Sequence, residues 1–120
     1  MEITLNFHPG QIVSLEHDDS KLYAEVIQVV ISRHLCWVRP LLLLVKSSES
    51  EPPLINDLRE ASDLLWPLDF FRPALDTEVI PILSQVLAKE PKPEIDSSTK
   101  QLLHQFIHEV WQAYKKESTG

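Results

Sequence analysis

His104 and His108 lie four residues apart in the stretch LLHQFIHEV, a spacing that lets two imidazoles on one helical face share a metal ion. No acidic residue stands between them, and a complete site needs ligands from elsewhere in the chain. On a helical wheel both fall on the polar side, so they read as solvated histidines. His17, Asp18 and Asp19 group an imidazole with two carboxylates that could hold a hard cation. This loop lacks the regular oxygen repeat of a calcium site and reads as an exposed turn. Cys36 has His34 two positions away, on the same face if both are in a strand, which is the minimum for a thiol and its base. No orienting acid or oxyanion-binding turn accompanies them. Beside Trp37, Cys36 reads as an inert core thiol. With only Gly10 and Gly120 as glycines, the chain also lacks the material for a phosphate cradle. No catalytic, cofactor-binding or metal-ligating residue is therefore assigned, and a metal-dependent or Cys-dependent hydrolase is the weakest of three readings.

Composition narrows the partners. The chain has 120 residues, 43% of them hydrophobic, which suits one packed core plus an appendage. Eighteen acidic against eleven basic side chains give a net charge of −7, and only residues 97–120 are net positive. Phosphate backbones are repelled by such a surface, which argues against nucleic acid. A nucleic-acid-binding small barrel would have to use Arg33, Arg39, Arg59 and Arg72, and it is kept as the alternative reading. A single cysteine excludes an intrachain disulfide and fits a reducing, cytoplasmic setting. The longest uninterrupted apolar run, Leu41 to Val45, is far too short to span a bilayer.

The strongest apolar stretch, Lys21 to Val45, is the expected centre of the fold. Pro9-Gly10 marks a turn, Gln11 to Glu16 a strand, and His17 to Ser20 a reversal. Leu22, Ala24 and Val26 alternate along the next strand, but the apolar set then moves to Ile27, Val29 and Ile31. Such a phase change requires a bulge or a sharp bend near Val26 and Ile27. After a turn at Ser32 to His34 the chain returns, with Cys36, Val38, Leu42 and Leu44 on one face and Trp37, Arg39, Leu41 and Leu43 on the other. Pro40 cannot donate to a ladder and marks an edge or a bulge. Leu54 to Glu60 is expected as a fourth strand, although Leu58, Ala61, Leu64 and Leu65 also permit a helical turn by spacing, and the proline-rich, aromatic segment Asp63 to Pro73 as short 3₁₀ turns. Asp76 is the expected N-cap of a short helix containing Pro81. The clearest helix is the last, with Leu102, Leu103, Phe106, Ile107, Val110, Trp111 and Tyr114 within half of the wheel. The resulting division is residues 1–89 for the β domain with its 3₁₀ and helical extension, 90–98 for a Pro-containing linker, and 99–118 for a C-terminal amphipathic helix.

The order of turn, strand, polar loop, bent strand, tight turn, strand, variable loop, short strand and 3₁₀-like aromatic stretch over residues 8–75 resembles the small SH3-like barrel. The fold class expected is thus mainly β with appended helices, a bent hairpin core in an SH3-like small β-barrel plus one short and one longer amphipathic helix. The loop Glu16 to Ser20 has none of the paired aromatics of peptide-binding SH3 domains, so no proline-motif binding residue is carried over. The phrases CWVRPLLLL and SDLLWPLDFFRPALDTEVIP also resemble functionally undescribed small proteins of cyanobacterial type. That resemblance implies an accessory role beside a photosynthetic or carbon-fixing assembly.

Two apolar features lack an obvious home in this scheme: either the two helices cover them, with the last helix docked on its own chain, or an exposed remainder forms a partner site. Trp37, Leu41 and Leu43 face away from the predicted core, and Trp66, Phe70 and Phe71 sit among prolines. With Phe106, Val110, Trp111 and Tyr114 of the last helix they form the candidate partner-binding set. The function expected is a non-enzymatic protein–protein interaction or assembly module, free of cofactors and not membrane-inserted, whose partner is another protein or a second copy exchanging the last helix.

Overall fold

The computed structural model describes residues 7–46, 50, 53–88 and 97–119. Its centre is an antiparallel hairpin of two eleven-residue strands, β2 (Ser20–Val30) and β3 (Leu35–Val45). β1 (Ile12–His17) enters β2 through the two-residue turn Asp18-Asp19, where His17 pairs with Ser20. Asp18 takes a φ of 52°, a left-handed conformation that aspartate tolerates better than most residues. A 3₁₀ turn at Ile31–Arg33, closed by His34 at φ 58°, leads from β2 into β3.

Two irregularities in this hairpin decide which side chains enter the core. Val26 pairs with Val38 and Gln28 with Trp37, so Ile27 is the extra residue of a bulge, at the predicted phase change. The bulge puts Leu22, Ala24, Val26 and Val29 on one side of a continuous strand. Backbone groups of Val26 also bond to the Pro9-Gly10 turn region, at 2.7 Å from Gly10 N to Val26 O and 2.8 Å from Val26 N to Gln11 O. The second irregularity corrects the expected faces of β3. Ala24 pairs with Pro40 but Tyr23 with Leu42, which leaves Leu41 as an extra residue. Beyond it the alternation is inverted. Leu43 joins Cys36 and Val38 in the main core, whereas Leu42 and Leu44 move to the opposite face with Tyr23. Ile31, expected on the core side, is 76% exposed in the 3₁₀ turn.

β4 (Leu54–Asp57) and β5 (Leu64–Pro67) share the remaining edge of β3, β4 along Leu42 to Val45 and β5 along Leu35 to Val38. A second 3₁₀ turn, Leu68–Phe70, leads to β6 (Arg72–Pro73), which pairs with β1. The order is β4-β3-β2-β1-β6 with β5 beside β3, an open six-stranded antiparallel sheet. Backbone pairing among the described residues therefore stops short of the closed barrel expected from the pattern. At β6 the ladder ends on Pro73, which has no N–H to extend it. The covalent run from β5 through the 3₁₀ turn to β6 is what crosses from the β3 edge to the β1 edge. The 3₁₀ turn expected in residues 63–73 is present at Leu68–Phe70, and the four-residue β5 before it was not anticipated.

The helices cover opposite faces. α1 (Asp76–Leu87) lays Val79, Ile82 and Leu83 against Tyr23, Leu42 and Leu44. Its cap differs from the expectation: Leu75 O accepts from Glu78 N and Val79 N, and Glu78 Oε1 accepts from Leu75 N at 3.1 Å. Glu78 thus supplies the reciprocal half of a capping box, with Leu75 rather than Asp76 at the cap position. Pro81 lies inside α1. α2 (Ser97–Thr119) adds Leu103, Phe106 and Val110 to the main core, which also holds Phe7, Val13, Leu15, Leu58, Trp66, Leu68 and Phe71. The spacer expected at 90–98 lies outside the described residues up to residue 96, and Ser97 and Ser98 belong to α2. No helix among the described residues is long and apolar enough to cross a membrane.

Candidate interaction surface

Half of the predicted partner-binding set is interior. Leu43 is 1% exposed, and Trp66, Phe71, Phe106 and Val110 are buried with it. Two causes account for this: α2 packs Phe106 and Val110 into the same cluster as Trp66 and Phe71, and the Leu41 bulge turns Leu43 inward. Leu41 is half-buried, and Trp37 remains at the surface. Trp37 stands opposite Leu65 of β5, which is 55% exposed and was not anticipated. Its indole Nε1 donates to Asp63 Oδ2 at 3.0 Å, and the Arg39 Nε stands 3.7 Å from the other oxygen.

The remaining three, Phe70, Trp111 and Tyr114, meet where α2 passes the 3₁₀ turn. Phe70 lies edge-on to Tyr114 and Trp111, with ring centroids 4.9 and 5.4 Å apart, and Trp111 to Tyr114 is 5.7 Å. Underneath, buried Trp66 contacts Phe70 at 5.7 Å, Phe71 at 6.1 Å and Trp111 at 6.5 Å. These separations lie in the favourable range for aromatic pairs, so the rings form one contiguous cluster from the core outward. Tyr114 is 39% exposed at its outer end.

Two clefts open beside these rings and share Glu16, Asp69 and Phe70. One, of about 280 Å³, is lined by Glu16, His17, Asp69, Phe70, Val110, Ala113 and Tyr114. The other, of about 440 Å³, runs from Phe70 past Ser14, Lys21 and Arg72 to Leu75 and Glu78. Lys21 is the fixed charge of the second cleft. Its Nζ donates to Glu78 Oε2 at 3.0 Å, stands 3.2 Å from Glu16 Oε1, and lies 5.2 Å from the Tyr23 ring centroid. Burial by itself would lower the Lys21 pKa, but the bonds to Glu78 and Glu16 outweigh it and hold the ammonium above its ordinary value. For Glu78, burial pushes upward, while the Lys21 bond and the Leu75 N–H pull further down, leaving the carboxyl below the usual range. Burial raises Tyr23 against the opposing pull of Lys21.

The reactive candidates are dispersed. Cys36 is fully buried and its thiol is pushed up to about 11 by desolvation, so it is protonated at neutral pH. His34 pairs instead with Asp69, Nε2 to Oδ1 at 2.8 Å, on the surface. His104 and His108 are both exposed on α2. His17 is turned toward α2, its Nε2 3.4 Å from Asp18 Oδ2 and 3.9 Å from Glu109 Oε2. Of the four arginines considered for nucleic acid, Arg59 is folded back on Asp57 at 2.8 Å and Arg39 faces Asp63. Arg33 and Arg72 are exposed. The carboxylates of the clefts carried no signal in the sequence, because Glu16 of β1, Asp69 of the 3₁₀ turn and Glu78 of α1 come from three separate elements with no local motif. Compared with protein-family models, curated proteins and solved structures, the chain matches none.

Proposed function

We propose that this chain is a non-enzymatic protein–protein interaction module that binds a partner at the Phe70, Trp111 and Tyr114 surface. The observation that carries the reading is the three-ring cluster, seated on buried Trp66 and open to a cleft at its outer end. Aromatic side chains held in fixed positions contribute large contact area at little entropic cost, and residues of this kind dominate binding energy at interfaces. The run β5, 3₁₀ turn, β6 supports reading the sheet as an open relative of the SH3-like barrel, with the partner surface beside its 3₁₀ turn. The sequence resemblance to proteins of cyanobacterial type makes a photosynthetic or carbon-fixing assembly the first place to look for the partner.

Affinity capture with the full chain, repeated with Tyr114→Ala and with Leu65→Ala, tests this directly. A partner retained by wild type and Leu65→Ala but lost by Tyr114→Ala, with the three proteins unfolding at similar temperatures, is the expected result. Capture indifferent to Tyr114→Ala and to Phe70→Ala removes this surface as the contact.

A further inference from the structure

We propose that His17, Asp18 and Glu109 form a binding site for a divalent transition-metal ion of the zinc class, which clasps the β1–β2 turn to α2. The three donor atoms all lie within 4.8 Å of one another, although they come from two separate elements. Their spacing is informative. A charged imidazole that simply paired with these carboxylates would sit about 2.7–2.9 Å away, yet the observed separations are 3.4 and 3.9 Å. Bonds of roughly 2.0–2.2 Å to nitrogen and oxygen in a tetrahedral site set neighbouring ligands about 3.3–3.6 Å apart. The His17 to Asp18 distance already falls in that range, and Glu109 Oε2 stands just beyond it at 3.9 Å from His17.

The orientation of Glu109 is prepared from outside. Gln105, one turn earlier on α2, donates from Nε2 to Glu109 Oε1 at 3.2 Å, which leaves Oε2 on the side of His17. Partners of this kind fix the carboxylates of metal sites. The imidazole is fixed as well: it terminates β1, and its ring is only 21% exposed between the turn and the helix. One nitrogen and two carboxylate oxygens balance a dication and leave room for a water ligand. Such a mixed set suits zinc and its neighbours, whereas calcium takes six to eight oxygens. With Asp18 on the turn and Glu109 between buried Phe106 and Val110, a bound ion would resist undocking of α2 from the sheet.

The test is calorimetric titration of the metal-free full chain with Zn2+, together with thermal unfolding at increasing Zn2+. One-site binding and a rise in Tm are expected, with no comparable rise for Ca2+. His17→Gln and Glu109→Gln should each weaken Zn2+ binding about tenfold or more. Asp18→Asn changes a side chain that is 81% exposed, so it tests the site without disturbing the packing should either of the others fail to fold. A double variant His104→Gln with His108→Gln should bind as wild type. Absence of Zn2+ binding, binding unchanged by His17→Gln, Asp18→Asn and Glu109→Gln, or loss confined to the His104 and His108 variant would overturn the assignment.

Discussion

Leu43 and Leu65 look interchangeable by residue type, yet one is 1% and the other 55% exposed. Alternation counted from Cys36 puts Leu43 outside, and it fails because the extra residue at Leu41 inverts the pleat halfway along β3. The bulge in β2 was legible, since its apolar residues change phase visibly around Ile27. The bulge in β3 was legible only in part: Pro40 marked an edge or a bulge and the extra residue stands next to it, but LLLL is apolar at every position and carries no phase to show that the faces invert. Leu43→Ala is accordingly expected to cost about 2–5 kcal/mol through the cavity it leaves, whereas Leu65→Ala should stay within about 0.5 kcal/mol. Chemical denaturation of the two variants decides this, and equal costs would contradict the β3 register. Cys36 offers a second check at the same scale. With a thiol pKa pushed up to about 11 and the side chain fully buried, native protein should resist iodoacetamide at neutral pH and react only after unfolding. Fast native labelling would show that the β3 to β5 region opens readily.

At the scale of elements, α1 is held by an apolar stripe and by one ionic contact whose strength depends on pH. Glu78 both accepts from Lys21 on β2 and reaches back to cap Leu75. Its carboxyl is held below the ordinary value of about 4.3. A depressed acid contributes stability that is present above its unfolded pKa and is lost as pH falls through the folded one. The raised Lys21 ammonium behaves in the opposite sense. Its contribution is complete below its ordinary value of about 10.4 and disappears as pH rises through the higher folded value. Between these limits wild type should exceed Glu78→Gln by about 1 kcal/mol, given that both side chains are partly solvated. Urea unfolding at pH 7 and at pH 3 measures the gap, which should shrink in acid. A gap of the same size at both pH values would mean that the contact carries no charge-dependent energy. The helix was evident from its spacing, but the cap was not. Glu78 lies two residues beyond the expected Asp76, and only the position of Lys21 on β2 explains the second task it performs.

For the whole molecule, the question is what α2 belongs to. Its amphipathic spacing gave the helix and its face, but amphipathy alone cannot distinguish a face covered by the same chain from one offered to another. That distinction rests on long-range contacts, here Trp66 against Trp111 and the burial of Leu103, Phe106 and Val110 in the main core. The same limit explains why five of ten predicted contact residues proved interior. A helix used as core has a consequence for size and solubility. The 120-residue chain should run as a monomer of 13.8 kDa in light scattering, since exchange onto a second copy would first have to undock those three side chains. A chain ending at Lys89 should lose that behaviour, because the missing helix uncovers the apolar side chains that Leu103, Phe106 and Val110 pack against, and exposed apolar patches drive association. Phe106→Ala should do the same in miniature, losing about 3–5 kcal/mol without removing the helix. If instead the shortened chain stays monodisperse and unfolds at the wild-type temperature, α2 contributes nothing to the core. The aromatic cluster would then have to be regarded as a mobile arm rather than a fixed surface.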